Sequence, residues 1–331
     1  MKGRKKPWLA LALLGAVHGA VVFAGFFAPY DFAEQNRAFP FAPPTRLHFV
    51  DARGQWRLRP FVYGLSDEDR TRAYPLQFFV SGAPYRIAGW IPSRRHLFGV
   101  EEPGRIFLAG ADGYGRDQFS RLLWGGQISL LAGLLAAGLS LGLGLVLGSL
   151  AGFYGRWLDE ELMRGAELFL ALPWVYLLFA VRAFLPLQIG PGQAFLLVVA
   201  VVGIVGWARP ARLIRGVVRS ARERDYVLAA RGFGASDLYL LRRHVLPQAG
   251  GVVLTQAALL TPHYILAEVT LSFLGLGVAE PAPSWGSMLA MLQQYHVLTS
   301  YWWLLLPGLA LVPVFLAYFR LADALHRLEW G

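Results

Sequence analysis

A charge-free stretch of 26 residues, at positions 128–153, constrains the fold of this chain most strongly. As a helix it would be roughly 39 Å long at about 1.5 Å per residue, enough to cross a hydrocarbon core of about 30 Å. Composition agrees, because only 16% of the residues are charged, whereas soluble domains carry about 25%. The sequence therefore predicts an integral membrane protein.

Glycines recur along this stretch at spacings that place small residues on one helix face. They stand at positions 138, 142, 144, 148 and 152. Such spacing lets a second helix approach closely. We therefore expect a packed helix rather than a lone membrane anchor.

Five other apolar stretches bring the predicted number of transmembrane helices to about six. The spans are predicted at 9–28, 128–153, 166–187, 193–208, 252–277 and 302–321. The first run follows a basic start and is longer than the 7–15 apolar residues of a signal peptide, so we expect a retained helix.

Arginines indicate the orientation of the chain in the membrane. The stretch 209–243 holds nine arginines against three acidic residues, which places it in the cytoplasm because short cytoplasmic loops are enriched in basic residues. Counting six spans from a cytoplasmic N-terminus then puts both termini in the cytoplasm. The net charge of +10 fits this orientation better than it fits nucleic-acid binding.

Residues 30–125 differ in character from the rest and divide the chain into three parts. Prolines and charged residues alternate there with short β-like runs at 75–80 and 85–91. We expect residues 1–29 to form the N-terminus and first span, and 30–125 a small, partly β extracytoplasmic insert. Residues 126–331 would form a core of five spans with a cytoplasmic loop at 209–247.

Several kinds of catalysis are excluded by residue content. The three lysines, Lys2, Lys5 and Lys6, all lie at the N-terminus, so the chain has no Walker A loop and cannot hydrolyse ATP by that route. It has no cysteine and no H-E-x-x-H. We expect no catalytic residues, no bound cofactor and no metal site.

The most polar stretch ends in a pattern that predicts two short helices joined by a turn. Asp225 can cap the first helix, Gly232 and Gly234 interrupt it, and Ser236 can cap the second. Pro247 stands where we expect the chain to turn back into the membrane. From these residues alone, a partner-binding element and an ordinary re-entry loop remain equally open.

This segment resembles the EAA motif of ABC importer permeases, which docks the ATPase subunit. The matching positions are Ala229, Ala230, Gly234, Leu246 and Pro247, with His244 as in the peptide-transporter branch. Leu228 replaces the leading glutamate of the motif. The resemblance implies an ATPase-coupling loop whose residues include Asp225, Tyr226, Ala229, Ala230, Gly232, Gly234, Ala235, His244, Leu246 and Pro247.

Other stretches are similar to the permeases of oligopeptide, dipeptide and nickel importers. They are G-A-D-G-Y-G-R-D at 110–117 with S-R at 120–121, and L-S-F-L-G-L-G-V at 271–278 with P-S-W-G at 283–286. The resemblance covers about residues 110–323 and is specific because several motifs occur in order. It departs near the C-terminus, where Ala322 and His326 stand in place of a glycine and an arginine.

The family resemblance implies the type I permease fold, all-α and polytopic, in a bacterial inner membrane. It also implies a second permease subunit, two ATPase subunits that bind ATP and Mg, and an extracytoplasmic solute-binding protein. The chain would then form half of the translocation pathway for peptides or peptide-like solutes. It would itself be a transport subunit and not an enzyme.

Ionisable residues inside the predicted spans are candidates for lining that pathway, because buried charge in a membrane is costly. Glu268 and Arg182 are the two candidates, although helix packing would explain the first and snorkelling toward the interface the second. His263 and His18 are more typical of packing hydrogen bonds.

Three other functions compete with the importer interpretation. An ion-gradient-driven transporter predicts internal repeats around a midplane site, and no such repeat is evident. A membrane-embedded enzyme would need a nucleophile–base pair. A purely structural partner of a transport complex would not need the glycine-rich second span.

Overall fold

The computed structural model describes residues 8–51, 54–64, 72–87, 89–171, 173, 176, 179–180 and 190–330. This part of the chain is mostly helical and forms two compact units. The first, which we call the helical unit, comprises residues 1–14, 131–268 and 314–331. The second, the mixed unit, comprises residues 15–130 and 269–313 and contains the described strands.

The helices of the described residues follow in chain order. They are α1 (Trp8–Val22), α2 (Ala24–Phe27), α3 (Gln118–Tyr154), α4 (Arg156–Ala171), α5 (Pro191–Val205), α6 (Ala208–Arg222), α7 (Asp225–Gly232), α8 (Asp237–Leu240), α9 (Gly250–Phe273), α10 (Trp285–Leu289), α11 (Tyr295–Ser300) and α12 (Leu306–Trp330). A π turn (Leu241–Val245) and a 3-10 turn (Leu246–Ala249) join α8 to α9.

Three helices among the described residues are long and apolar enough to cross a membrane: Gln118–Tyr154, Asp237–Phe273 and Trp302–Arg327. Helices α5 and α6 meet at a bend of 42° and together make a fourth candidate. Helix α1 is apolar but has only 15 residues. The described residues thus support three or four spans, and the predicted number of six is not confirmed. Much of the predicted third span, 166–187, lies outside the described residues.

Helix α6 departs from the sequence-based expectation that the fourth span ends at Ala208. The chain stays helical to Arg222, because its apolar residues recur on one face despite the many arginines. Ala211, Ile214, Val218 and Ala221 on this face are all buried. The arginine-rich stretch therefore begins as a helix, and the helix–turn–helix element starts only at Asp225.

Glycines of α3 allow α6 to pack closely against it. A Cβ atom at Gly148 would lie 2.4 Å from the carbonyl oxygen of Ala211, and one at Gly152 would lie 2.7 Å from that of Arg215. The predicted close approach is therefore confirmed for this end of α3. At Gly138 and Gly142 nothing described lies within 4 Å of an added Cβ, so the expected packing is not seen there.

The described residues between His48 and Gly99, in the mixed unit, form five strands. Strands β1 (His48–Val50), β2 (Trp56–Tyr63) and β3 (Ala73–Pro75) form one antiparallel sheet in the order β1-β2-β3. Strands β4 (Gln77–Ile87) and β5 (Ile91–Gly99) form a hairpin. Buried apolar side chains of β2, β3 and β5 pack with Ile106 into one cluster, which holds the strands to the segment that leads into α3.

Candidate functional site

The segment from Asp225 to Pro247 rests on a buried apolar base in the helical unit. Val227, Leu240, Leu241 and Val245 from the segment are buried in one cluster. The same cluster contains Phe153 of α3 and the buried face of α6. The segment is therefore fixed to two helices rather than hanging from the chain as a loose loop.

The turn between α7 and α8 is built by backbone hydrogen bonds. The amide of Ala235 donates to the carbonyl of Ala230 at 3.1 Å, and that of Phe233 to Ala229 at 3.1 Å. Gly234 has φ +87°, a left-handed conformation that favours glycine. The prediction that the glycines end the first helix is thus confirmed, because α7 stops at Gly232.

The two predicted helix caps have different outcomes. Ser236 accepts a hydrogen bond from the amide of Tyr239 at 3.4 Å, so it caps α8 as expected. The prediction for Asp225 is wrong, because Arg224 occupies the N-cap position and no side chain caps α7. Asp225 is instead the first residue of α7, where a carboxylate interacts favourably with the helix dipole.

Pro247 also differs from its expectation, because the chain does not turn there. Leu246 and Pro247 lie in the 3-10 turn, and the chain continues as one helix from Asp237 to Phe273. Proline is tolerated at this position because it opens a new turn, where its missing N–H has no helical partner to lose. A displacement of α8 would therefore be carried directly into α9.

His244 contacts an aromatic ring from each of the two short helices. Its ring centroid lies 6.0 Å from that of Tyr226 in α7 and 5.6 Å from that of Tyr239 in α8. An exposed ion pair between Arg231 and Asp237, at 3.3 Å, joins the same two helices. Together these contacts make α7, the turn and α8 one element.

The outer surface of this element exposes several large apolar and aromatic side chains among charged ones. Phe233, at the turn, is 92% exposed. Ala229, Gly232 and Gly234 are exposed around it, whereas Ala230, Ala235, His244 and Leu246 are half-buried. The other large exposed apolar or aromatic residues of the element are Tyr226, Leu228, Leu238 and Tyr239. Exposed apolar surface of this extent is typical of an interaction site.

Two arginines of α6 brace the base of the element. The guanidinium of Arg215 donates to both carboxylate oxygens of Asp159 in α4. Arg222 donates to the carbonyl oxygen of Phe153, near the end of α3, at 2.8 Å. These bonds tie α3, α4 and α6 together next to the element.

A second polar site lies in the mixed unit, where two family-like stretches meet. Arg116 donates to Asp112 at 2.7 Å and also to Glu280. Arg121 donates to the other oxygen of Glu280 at 2.8 Å. The two arginines and Asp112 are buried, while the side chain of Glu280 is 48% exposed. We call these four residues the ionic network.

Backbone geometry around the ionic network explains the glycine-rich sequence of 110–117. Asp112 accepts hydrogen bonds from the amides of Tyr114 and Arg116, which closes a tight turn. Gly115 in this turn has φ +72°, and an added Cβ would lie 1.8 Å from the carbonyl oxygen of Asn36. Glycine is therefore required there for both conformation and space.

Asp117, next to the network, is buried and lies just before α3. Its Oδ2 accepts hydrogen bonds from the amide and the hydroxyl of Ser120 at 2.8 and 2.6 Å. Burial raises the pKa of the Asp117 carboxyl to about 7, although the bonds from Ser120 lower it. The carboxyl therefore gains a proton well above the pH at which an exposed aspartate would.

Trp285 connects α10 to α3 within the mixed unit. Its amide donates to the hydroxyl of Ser129 at 3.0 Å, and its indole N–H donates to the carbonyl of Leu122 at 2.9 Å. Trp303 makes a similar bond to the carbonyl of Ala111 at 2.9 Å. These tryptophans hold the motifs near residues 110–129 and 283–286 in contact.

Of the two predicted pathway residues, the structure describes Glu268. Glu268 is buried in α9 at 1% exposure, in the same helix as His263, and His18 lies in α1. Arg182 lies outside the described residues. Within the described ranges, no group of three or more histidine or acidic side chains is placed to hold a metal ion.

Sequence reasoning missed the ionic network, although it singled out the stretch that contains three of its members. Glu280 is separated from Arg116 by 164 positions, so no local pattern connects them. A signal was nevertheless present, because Glu280 follows an apolar run from 269 to 279 that contains no other charge.

Comparison with known proteins identifies the kind of membrane protein this chain resembles. Residues 144–329 match the family described as binding-protein-dependent transport system inner membrane component. A Brucella ovis protein named as a peptide permease is 38% identical over 236 residues, which cover 71% of this chain and 72% of that protein.

Two further relatives carry similar names. A peptide transport system permease protein of Brucella suis is 38% identical over 226 residues, covering 68% of this chain and 74% of that protein. The dipeptide transport system permease protein of Alkalihalophilus pseudofirmus is 34% identical over 236 residues, covering 71% and 74%.

Proposed function

Because the chain belongs to the family of binding-protein-dependent transport system inner membrane components, we propose that it forms half of the translocation pathway of an ATP-driven importer for peptides or peptide-like solutes. Three relatives named as peptide or dipeptide permeases support this class of solute. The chain is a multi-pass membrane permease and not an enzyme.

The proposed partners follow from the family. A second permease would complete the pathway, two cytoplasmic ATPase subunits would bind ATP and Mg, and a solute-binding protein would deliver the solute from outside. The lysine content supports this division of labour, because a chain whose lysines are Lys2, Lys5 and Lys6 has no P-loop of its own. We assign no cofactor to this chain.

The exposed apolar surface on a buried base, at Asp225–Pro247, is the observation that carries the proposal. A docking element needs a surface for its partner and a rigid connection to the part that moves. Phe233 and its exposed neighbours provide the surface, and the buried cluster with α3 and α6 provides the connection. The segment therefore suits the ATPase-coupling element that its sequence resembles.

Transmission of force would follow the continuous helix from Asp237 to Phe273. When the ATPase subunits close on ATP, they would push the surface around Phe233. The contacts of His244 with Tyr226 and Tyr239 would keep the two short helices together during this movement. The displacement would then reach α9 and switch the pathway between outward- and inward-facing states.

Orientation in the membrane is proposed from the same element. If Asp225–Pro247 docks a cytoplasmic ATPase, the arginine-rich loop lies in the cytoplasm, as the distribution of basic residues indicates. Both termini would lie in the cytoplasm of a bacterial cell, and the strands between His48 and Gly99 would lie outside.

A co-purification experiment tests the proposed function. The chain would be expressed with the transport subunits encoded beside it, solubilised in detergent and isolated by an affinity tag. We expect ATPase subunits to co-purify with the wild-type chain and to be lost with Phe233→Asp, because a charge would occupy the centre of an apolar contact.

Tyr295→Asp is the matched control, because Tyr295 is an aromatic residue that is 80% exposed and lies outside the segment. It should retain the ATPase subunits. Absence of ATPase from the wild-type preparation, or its full retention by Phe233→Asp, would contradict the proposal and reopen the ion-gradient-driven alternative.

A further inference from the structure

A cavity of about 220 Å³ lies in the helical unit where α5 bends into α6. Polar side chains of Arg209, His263 and Tyr264 line it, and the other described lining residues are apolar or glycine. Its volume is below the roughly 300–1,000 Å³ of complete small-molecule sites. The cavity of this chain alone is therefore smaller than a complete small-molecule site.

The bend places Arg209 near the middle of the α5–α6 pair. Arg209 precedes Arg222, the end of α6, by 13 residues, which corresponds to roughly 20 Å at about 1.5 Å per residue. Helix α5 adds a similar length on the other side of the bend. If the pair crosses the membrane as one broken span, Arg209 therefore lies within the bilayer rather than at its surface.

The charge of Arg209 is not balanced by an acidic side chain among the described residues. No ion pair joins it to a described carboxylate, whereas Arg215 and Arg222 of the same helix each pair with an acid. Among the described residues, none that lines the cavity is acidic. An arginine at membrane depth is costly and usually faces a partner or a functional cavity.

Tyr264 and Gly206 show how the cavity wall is built. The hydroxyls of Tyr264 and Ser140 share a hydrogen bond of 2.8 Å, so the tyrosine is held to the wall. A Cβ at Gly206 would lie 2.0 Å from the Tyr264 hydroxyl oxygen, so a glycine at the bend is required for this packing. Arg209 is the charged group of this lining, and its side chain is exposed in this chain.

We propose that Arg209 binds the terminal carboxylate of a peptide during its passage, an inference that rests on the proposed function. Peptides of every sequence share an ammonium at one end and a carboxylate at the other. A cavity with a guanidinium and no acid favours the carboxylate end, because guanidinium and carboxylate form paired, charge-assisted hydrogen bonds. Arg209 is thus a specificity residue that recognises no particular side chain.

Thiol labelling tests the charge selectivity of the cavity without relying on transport. The chain has no cysteine, so Leu170→Cys would place a single thiol in the cavity lining, on a residue that is 40% exposed. The assembled importer would be treated with thiosulfonate reagents that carry either a sulfonate or a trimethylammonium group. Leu168→Cys is the matched control, since Leu168 is 69% exposed and does not line the cavity.

We expect the sulfonate reagent to modify Leu170→Cys at least about fivefold faster than the cationic reagent, after normalisation to Leu168→Cys. Adding Arg209→Gln should remove this preference, and adding Arg209→Lys should keep it. A preference that is absent, or that persists with Arg209→Gln, would overturn the inference. Loss of the second permease from the Arg209→Gln preparation would also overturn it, because Arg209 would then serve the subunit interface.

ATP-dependent uptake of tri-alanine into proteoliposomes completes the test. Arg209→Gln should reduce uptake about tenfold or more, as expected for losing a hydrogen bond to a charged group, whereas Arg164→Gln, which removes an exposed arginine of α4, should not. If uptake is unchanged with Arg209→Gln, the inference about Arg209 is wrong and the proposed function still stands. A wild-type importer that takes up no peptide would overturn the proposed function, and the assignment of the anion as a peptide carboxylate with it.

Discussion

Arginines in the two units of this protein have opposite environments. In the mixed unit, Arg116 and Arg121 are buried and their charges are matched by Asp112 and Glu280. In the helical unit, Arg209 lines a cavity without an acidic neighbour among the described residues. The charges of Arg116 and Arg121 therefore stabilise the fold, whereas the charge of Arg209 remains available to a ligand.

The cost of burial explains why the ionic network must be complete. A buried charge that loses its partner retains its desolvation penalty, so the loss exceeds the value of the pair itself. Arg209 carries no such constraint, because its side chain is exposed in the chain. Its removal should affect what binds in the cavity rather than how the chain folds.

The largest expected effect tests this comparison directly. Arg116→Gln should lower the free energy of unfolding by about 3–5 kcal/mol, because the buried Asp112 carboxylate loses the nearer of its two arginine partners. Arg209→Gln removes the same charge and should change the free energy by less than about 0.5 kcal/mol, as for exposed positions. Denaturant unfolding of the two purified variants in detergent micelles measures both, and equal losses would contradict the comparison.

A second prediction concerns pH, since Asp117 is buried beside the ionic network and pairs with no basic side chain among the described residues. Its pKa of about 7 in the folded state lies above the ordinary aspartate value of 3.8, so the folded chain binds more protons than the unfolded chain between these values. Stability should therefore fall as pH rises from about 4 to about 7, by a few kcal/mol at about 1.4 kcal/mol per unit.

Asp117→Asn provides the reference for this measurement, because it keeps an acceptor for Ser120 and does not titrate. As pH rises over that window, the unfolding free energy of the wild type should fall relative to that of Asp117→Asn. A difference that stays constant from pH 4 to pH 8 would show that the Asp117 carboxyl is not perturbed.

The smallest expected effect concerns a backbone conformation in the helical unit rather than a charge. Gly234→Ala should cost about 1–2 kcal/mol, because alanine is strained at φ +87°. Gly232→Ala is the matched control, since it lies two residues away, nothing lies within 4 Å of an added Cβ at either position, and Gly232 has no positive φ. Equal effects would show that the left-handed turn is not a constraint.

Local sequence signals predicted the parts of the structure that depend on neighbouring residues. The charge-free run predicted the helix observed as α3, and the two glycines predicted where α7 ends. Both predictions were possible because helix formation and termination depend on a few adjacent residues. The cap at Ser236 was predictable for the same reason. The assignment to a permease family also followed from short motifs.

Features that depend on distant residues or on packing were not predictable in this way. The arginines of α6 suggested a loop, but Asp159 and the carbonyl of Phe153 satisfy two of them from other helices. The contact between Arg116 and Glu280 joins positions 164 residues apart. The cavity at Arg209 arises from a bend between two helices, which no single stretch of sequence encodes.

Cross-linking from position 233 tests most directly the central claim, that Asp225–Pro247 docks the ATPase. The natural absence of cysteine lets Phe233→Cys and Tyr295→Cys each carry one thiol in the assembled importer, to be joined to its partners by a short bifunctional reagent. We predict an adduct with the ATPase subunit from Phe233→Cys, changing in yield when ATP is added, and none from Tyr295→Cys. An ATPase adduct from Tyr295→Cys but not from Phe233→Cys would contradict the account.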